Sequence, residues 1–223
     1  MRWSGHHRGG GRDSYHHGNL REALIGAARR LIAERGPAGF SFAEAARAAG
    51  VSPAAPYRHF RDRNALIGEI ARRGFELFAA DLTGAWNDGK PNPWQALESC
   101  GRAYLAFARR EPAYYAAMFE PGFALEEDRA LAEAADRAFA ILARAAEALS
   151  ARIPKASRPP ARMVALHIWA MAHGIASLFV RPGGANRKLP MSPEDLLEAG
   201  VLLYLRALGL APDNIPGTPD VRA

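Results

Sequence analysis

From residue 19 onward, apolar side chains return at every third or fourth position, the spacing of helices that bury one face. Leu20, Ala23, Leu24, Ala27 and Leu31 predict a first helix, capped by Asn19 and running to about Arg35, where Gly36-Pro37 ends it. The segment Phe40 to Arg63, FSFAEAARAAGVSPAAPYRHFRDR, then predicts two short helices around an Ala49-Gly50-Val51 turn. Gly50 tolerates the left-handed backbone such a turn needs, and Val51 fills the angle. Ser52 is placed to cap the second helix and Pro53 to open it, with Phe60 as its core anchor. Pro56 gives up one early helical bond. After Asp62, the expected cap of a fourth helix, Leu66, Ile70, Leu77 and Phe78 form a buried stripe that ends near Asp81. Gly89, Pro91 and Pro93 break the chain, which puts a domain seam near residues 82–92.

Beyond the seam the pattern predicts helices over about Trp94–Arg110, Ala113–Phe119 and Glu126–Arg152, then a Pro154–Pro160 linker. Two strongly apolar helices come next, Ala161–Val180 and Pro193–Leu208, separated by a loop at residues 181–192. Strand signals are nearly absent, so the expected fold is all-α: an N-terminal three-helix head with a helix-turn-helix, joined by a long helix to a helical body. The expected divisions are a disordered basic arm (1–18), the head with its linking helix (19–81), the body (82–210) and a disordered Pro-rich tail (211–223).

Charge changes the picture by locating it. Residues 1–75 hold 13 Arg against 6 Asp and Glu, whereas residues 76–223 hold 16 Lys and Arg against 17 Asp and Glu. The surplus therefore sits beside the helix-turn-helix, the footprint of a protein that meets a polyanion, and double-stranded DNA is the expected partner. Small residues Ala54 and Ala55 let the second helix approach a major groove, where Tyr57, Arg58 and His59 reach bases or phosphates. No run of about 18 apolar residues is evident, so no membrane role is expected. A single cysteine, Cys100, excludes an internal disulfide framework, and with no secretion signal a reducing bacterial cytoplasm is the expected compartment.

Catalytic signatures are missing: no G-x-S-x-G, H-E-x-x-H or C-x-x-C occurs. Residues 84–90, GAWNDGK, have the spacing of a phosphate-binding loop, but Pro91 stands where a Ser or Thr is needed and a helix precedes the segment. His6, His7, His16 and His17 have no fixed geometry for a metal. No enzyme activity, cofactor or metal is expected.

In the body, Tyr104, Phe107, Tyr114, Tyr115, Met118 and Phe119 form the richest aromatic set, core residues that in a ligand-binding architecture line a pocket for an apolar or aromatic small molecule. Trp169 and His173 are candidates for the same pocket, with a structural histidine satisfied by a carbonyl as the other reading of His173. Leu166, Trp169, Ala170, His173 and Ser177 share one helical face with Gly174 beside them, and Leu196, Gly200, Leu203 and Tyr204 share another. Such helices either pack within the chain or pair with a second copy into a four-helix homodimer core.

Tyr15-His16-His17-Gly18-Asn19-Leu20-Arg21, the Phe40 to Arg63 corner, Glu111-Pro112-Ala113-Tyr114-Tyr115 with Met118-Phe119, and Trp169-Ala170-Met171-Ala172-His173-Gly174 resemble the TetR/AcrR family of bacterial transcriptional regulators, in the branch with a Trp-His-Gly signature. The resemblance covers about residues 15–208. It implies a homodimeric regulator, most often a repressor, that binds a palindromic operator and is released by a small-molecule effector. It also implies Tyr57, Arg58 and His59 in the operator, Ala55 at the groove, Arg63 on a phosphate, and Ser41 capping the first corner helix and facing the DNA backbone. Ala43 departs from relatives that carry a polar or basic base-reading residue there. Two other classes share these features: an architectural DNA-binding protein without an effector, and an all-α enzyme centred on His173.

Overall fold

The computed structural model describes residues 17–120, 128–151, 153–180 and 191–211. The expected N-terminal arm lies outside these residues up to position 16, as do residues 181–190 of the expected loop and the tail from residue 212. Eight α-helices make up the described chain: α1 (His17–Arg35), α2 (Phe42–Ala48), α3 (Arg63–Trp86), α4 (Pro93–Arg110), α5 (Pro112–Phe119), α6 (Arg129–Ser150), α7 (Ala161–Ile175) and α8 (Pro193–Ala207). No strand occurs among the described residues.

The local chemistry sets most boundaries. Asp62 caps α3 by accepting from the Ala65 amide at 2.8 Å, Asn92 caps α4 from Gln95, Asp128 caps α6 from Leu131, and Ser192 forms a capping box with Asp195 on α8. Two expected boundaries move. The first helix begins at His17, two residues before Asn19. The linking helix does not stop near Asp81 but runs to Trp86, where Asn87 and Asp88 turn left-handed at φ 43° and 53°.

α3 is the spine. Its Leu66, Ile70, Phe75, Phe78, Leu82 and Trp86 are buried, joining the head formed with α1 and α2 to α4, α5 and α6 in one continuous apolar core. Leu77, expected in that stripe, is 45% exposed, because the buried face advances to Phe78. α3 and α5 approach closely at Gly74, where a Cβ would stand 2.8 Å from Met118 Sδ and 3.2 Å from Tyr114 Cβ. α1 meets α5 as well: the Arg29 guanidinium lies 4.0 Å over the Tyr114 ring and 3.3 Å from Glu111.

α7 ends in a π-helical turn at Ala176–Val180. The whole 161–180 stretch is long and apolar enough, by length and composition, to cross a bilayer; no unbroken apolar run is visible there because Arg162, His167 and His173 interrupt it. Val164, Ala165, Ile168 and Ala172 bury one face of it, and Leu197, Val201 and Leu205 bury one face of α8.

Candidate functional site

The corner between α2 and α3 is built by its caps. Ser41 accepts from the Glu44 amide while Glu44 reaches back to the Ser41 amide at 2.8 Å, closing a capping box on α2. At the other end Gly50, at φ 75°, donates to Arg47 O and Val51 donates to Ala46 O, both at 3.0 Å, the Schellman pattern that turns the chain sharply. The expected helix from Pro53 to Phe60 does not form. In its place stands a single 3-10 turn at Ala55–Arg58. Pro56 has no N–H to give the Ser52 carbonyl, and Ala55 donates to it at 3.0 Å instead, tightening the turn. The turn has no side-chain cap, so the capping role expected of Ser52 is not realised.

This turn presents its side chains outward. Pro56 and Phe60 are buried beneath it. Ser52, Ala54, Tyr57 and Arg58 are exposed, whereas Ala55 and His59 are half-buried. Tyr57, 63% exposed, rests edge-on against the Phe42 ring at 5.0 Å, which fixes the direction of its phenol. Arg58 has no ion-pair partner among the described residues, and neither has exposed Arg47 on α2, a candidate that sequence reasoning missed. Its place in the last exposed turn of α2 is the signal that marks it. Arg63 points the other way: its guanidinium donates to the Pro37 carbonyl and lies 4.8 Å over the Phe40 ring. Arg63, expected on a phosphate, thus ties α3 to the loop before α2.

Much of the head's positive charge is neutralised internally. Glu69, whose side chain is only 11% exposed, gathers Arg21, Arg72 and Arg73, and Arg73 also grips Glu22. Burial alone would raise the Glu69 carboxyl, but hydrogen bonds from Arg72, Arg73 and Arg21 outweigh it and hold it at about 2.

In the body, the expected ligand residues gather into one aromatic cluster. Tyr115 lies 2.8 Å and Tyr104 3.2 Å from His173 Nδ1 through their hydroxyls, and Ser177 Oγ stands 3.4 Å from its Nε2. Tyrosine hydroxyls thus hold His173 in place. Trp169 stacks on Phe139 at 5.1 Å, and Phe119 packs edge-on to His173 at 4.7 Å. Phe107 and Met118 are fully buried in the same core. Burial first, then the neighbouring Tyr115, pushes the Tyr104 hydroxyl well above its ordinary pKa.

Beside this cluster lies a cleft of about 600 Å³, open mouth included, between α4, α7 and α8. Leu97, Cys100, Ile168, Leu197 and Val201 form its apolar lining. Of the seven expected ligand residues only Tyr104 reaches it; Phe107, Tyr115, Met118, Phe119, Trp169 and His173 pack behind. The charged residues at the cleft, Glu98, Arg102, Glu194 and Glu198, were not anticipated. Burial drives the Cys100 thiol up to about 12, and its S–H faces the Leu82 carbonyl of α3 at 3.7 Å. Among the described residues no group of three or more His, Cys, Asp or Glu side chains gathers to hold a metal.

The expected pairing faces divide differently from the stripe read in sequence. Leu166 (49% exposed), Ala170 and Leu203 (67% exposed) point outward, while Trp169 and His173 turn into the core. Gly174 is half-buried with open space at its Cβ position, and Ser177 is tied to His173. Leu196, Gly200 and Tyr204 are half-buried, Tyr204 joined to His167 Nδ1 at 2.8 Å.

Residues 24–70 match the family described as "Bacterial regulatory proteins, tetR family", and residues 97–204 match "Tetracyclin repressor-like, C-terminal domain". No curated protein matches the chain. Among solved structures, a protein of unknown function from Rhodococcus sp. RHA1 is 29% identical, with 87% of this chain and 97% of that one covered and a TM-score of 0.70. The TetR-family transcriptional regulator PfmR from Thermus thermophilus is 21% identical, with 82% and 97% covered and a TM-score of 0.64. AibR, solved in complex with isovaleryl coenzyme A and operator DNA, is 21% identical with the same shares covered and a TM-score of 0.63. The two family matches fall on the helix-turn-helix head and on the body that carries the cleft, and the chain belongs to the TetR family of bacterial transcriptional regulators.

Proposed function

We propose that the chain is a ligand-controlled regulator, a repressor in its unliganded form, that grips a palindromic operator as a homodimer and lets go when a small molecule enters its body. The observation that carries this reading is the exposed Tyr57-Arg58 pair on a turn whose underside is wholly buried. A rigid corner that offers an aromatic phenol and a free guanidinium side by side is suited to base edges and phosphates. Arg47, Ser41, Ser52, Ala54, Ala55 and His59 border the same surface and are assigned to the groove contact with it. Work in the cytoplasm, at the nucleoid, goes with that partner.

Leu166 and Leu203 are large apolar side chains left in solvent on neighbouring helices. A second copy related by a two-fold axis would cover them with Ala170, Gly174, Ser177, Leu196, Gly200 and Tyr204 at or near the contact, and would also account for the apolar length of α7. Two heads about 34 Å apart would then address one face of a duplex.

The cleft is the proposed effector site. Its Tyr104 packs edge-on against Phe78 of α3 at 5.0 Å, and its Cys100 faces Leu82, so a ligand pressing on α4 pushes the linking helix and the head. A ligand that favours one head spacing shifts the population toward it, without touching the groove. The Trp169 and His173 network supports membership of the branch with the Trp-His-Gly signature; it positions Tyr104, and we assign no catalysis to it. AibR, in complex with isovaleryl coenzyme A and operator DNA, is a relative in fold that holds a small molecule and a duplex. The test is selection of duplexes from a random library. An enriched inverted repeat is expected, with affinity that falls with salt and with Tyr57→Ala; an unenriched pool would remove the proposal.

A further inference from the structure

We infer that the effector is an amphipathic organic cation, an apolar or aromatic body bearing a protonated amine; this rests on the reading of the cleft as the effector site. The cleft combines an apolar lining with an imbalance of charge among its polar groups. Leu97, Leu197 and Val201 are buried side chains that offer a ligand only dispersion and desolvation, so they select for an apolar body.

The polar groups decide the head. Glu98, Glu194 and Glu198 line the cleft against one cation, Arg102. Glu194 is already engaged by Arg109. Arg102 is exposed and donates to Ser99 Oγ at 3.2 Å. That leaves Glu98 and Glu198 facing each other without a salt bridge among the described residues. Trp94 and Arg102 both favour the charged form of Glu98, yet burial first, and then repulsion from Glu198, keep its carboxyl above its ordinary range. An ammonium seated between the two carboxylates would cancel their repulsion and compensate the charge on Glu98, and would lie beside Trp94, which also lines the cleft. A carboxylate or phosphate there would set a third negative charge against half-buried Glu98 and exposed Glu198. The site is thus opposite in sign to one built for a polyanionic thioester such as the isovaleryl coenzyme A bound by AibR.

Three probes with one apolar body and different heads test this: 4-phenylbutylamine, 4-phenylbutan-1-ol and 4-phenylbutanoate, titrated calorimetrically into the full-length protein at neutral pH. The amine is expected to bind about ten-fold or more tightly than the alcohol, and the carboxylate most weakly. In the double variant Glu98→Gln, Glu198→Gln that preference should collapse toward parity, with circular dichroism checking its fold. Equal or tighter binding of the alcohol or the carboxylate, or no binding by any of the three at millimolar concentration, overturns the inference. Release of a library-selected duplex is followed in parallel. A carboxylate that binds and releases it overturns the cation and leaves the regulator standing; an amine that binds without releasing it overturns the effector reading and leaves a cation site.

Discussion

Gly50 closes α2 at φ 75° with nothing within 4 Å of its Cβ position, so a substitution there meets backbone strain and no clash. Gly50→Ala is expected to cost about 1 kcal/mol in a denaturant melt. Tyr57 has the opposite profile. Removing its ring should cost about 0.5–1 kcal/mol of stability from the Phe42 contact. The same Tyr57→Ala change should cost about 1–3 kcal/mol of operator affinity and relax base preference. Glu69 ties its stability to pH. Its folded value of about 2 lies below the ordinary 4.5, so the stability it contributes is complete above that ordinary value and is lost as pH falls through about 2. Glu69→Gln should be about 1–3 kcal/mol less stable at neutral pH, with a shallower loss on acidification in that window. Residues of this local kind were legible in sequence where one side chain meets one backbone group: Asp62 and Gly50 act within a few positions of themselves. Ser52 misled because the proline four residues on removes the helical bond that would have made it a cap, and the tie of Arg63 to Pro37 was not legible because the two meet only in three dimensions.

At the scale of elements, periodicity located the eight described helices but not what each face meets. The α7 stripe read as one surface straddles two: half-buried Trp169 and His173 pack against the core, while Leu166 and Ala170 face outside. Both faces are apolar, and a spacing rule cannot say which apolar face finds a neighbour in its own chain. Gly74 marks the close approach of α3 and α5. A methyl there runs into Met118 and Tyr114. Gly74→Ala should destabilise the protein by about 1–3 kcal/mol through overpacking. It should also weaken the effector's influence on operator binding, measured as the ratio of operator affinities with and without ligand.

For the whole molecule, the all-α fold and the head-then-body order were readable because helix and corner signals are local. The cleft was not, because Glu98 and Glu198 stand far apart in sequence on α4 and α8 and meet only when those helices pack. Aromatic richness pointed to the neighbouring cluster around His173, of which only Tyr104 also lines the cleft. Charge totals were informative in place but generous in amount: the surplus arginines of the head include Arg21, Arg72 and Arg73, which are paired to Glu69 and are not free for phosphate. Regulation of the proposed kind needs two copies, joined through α7 and α8, that hold two heads on one duplex. Sedimentation equilibrium of the purified protein, with and without a library-selected duplex, examines that arrangement without intermediary. A dimer alone and two chains per inverted repeat are expected, with Leu203→Glu giving a folded monomer that binds far more weakly. A wild-type monomer, or one chain per duplex at full affinity, would contradict it.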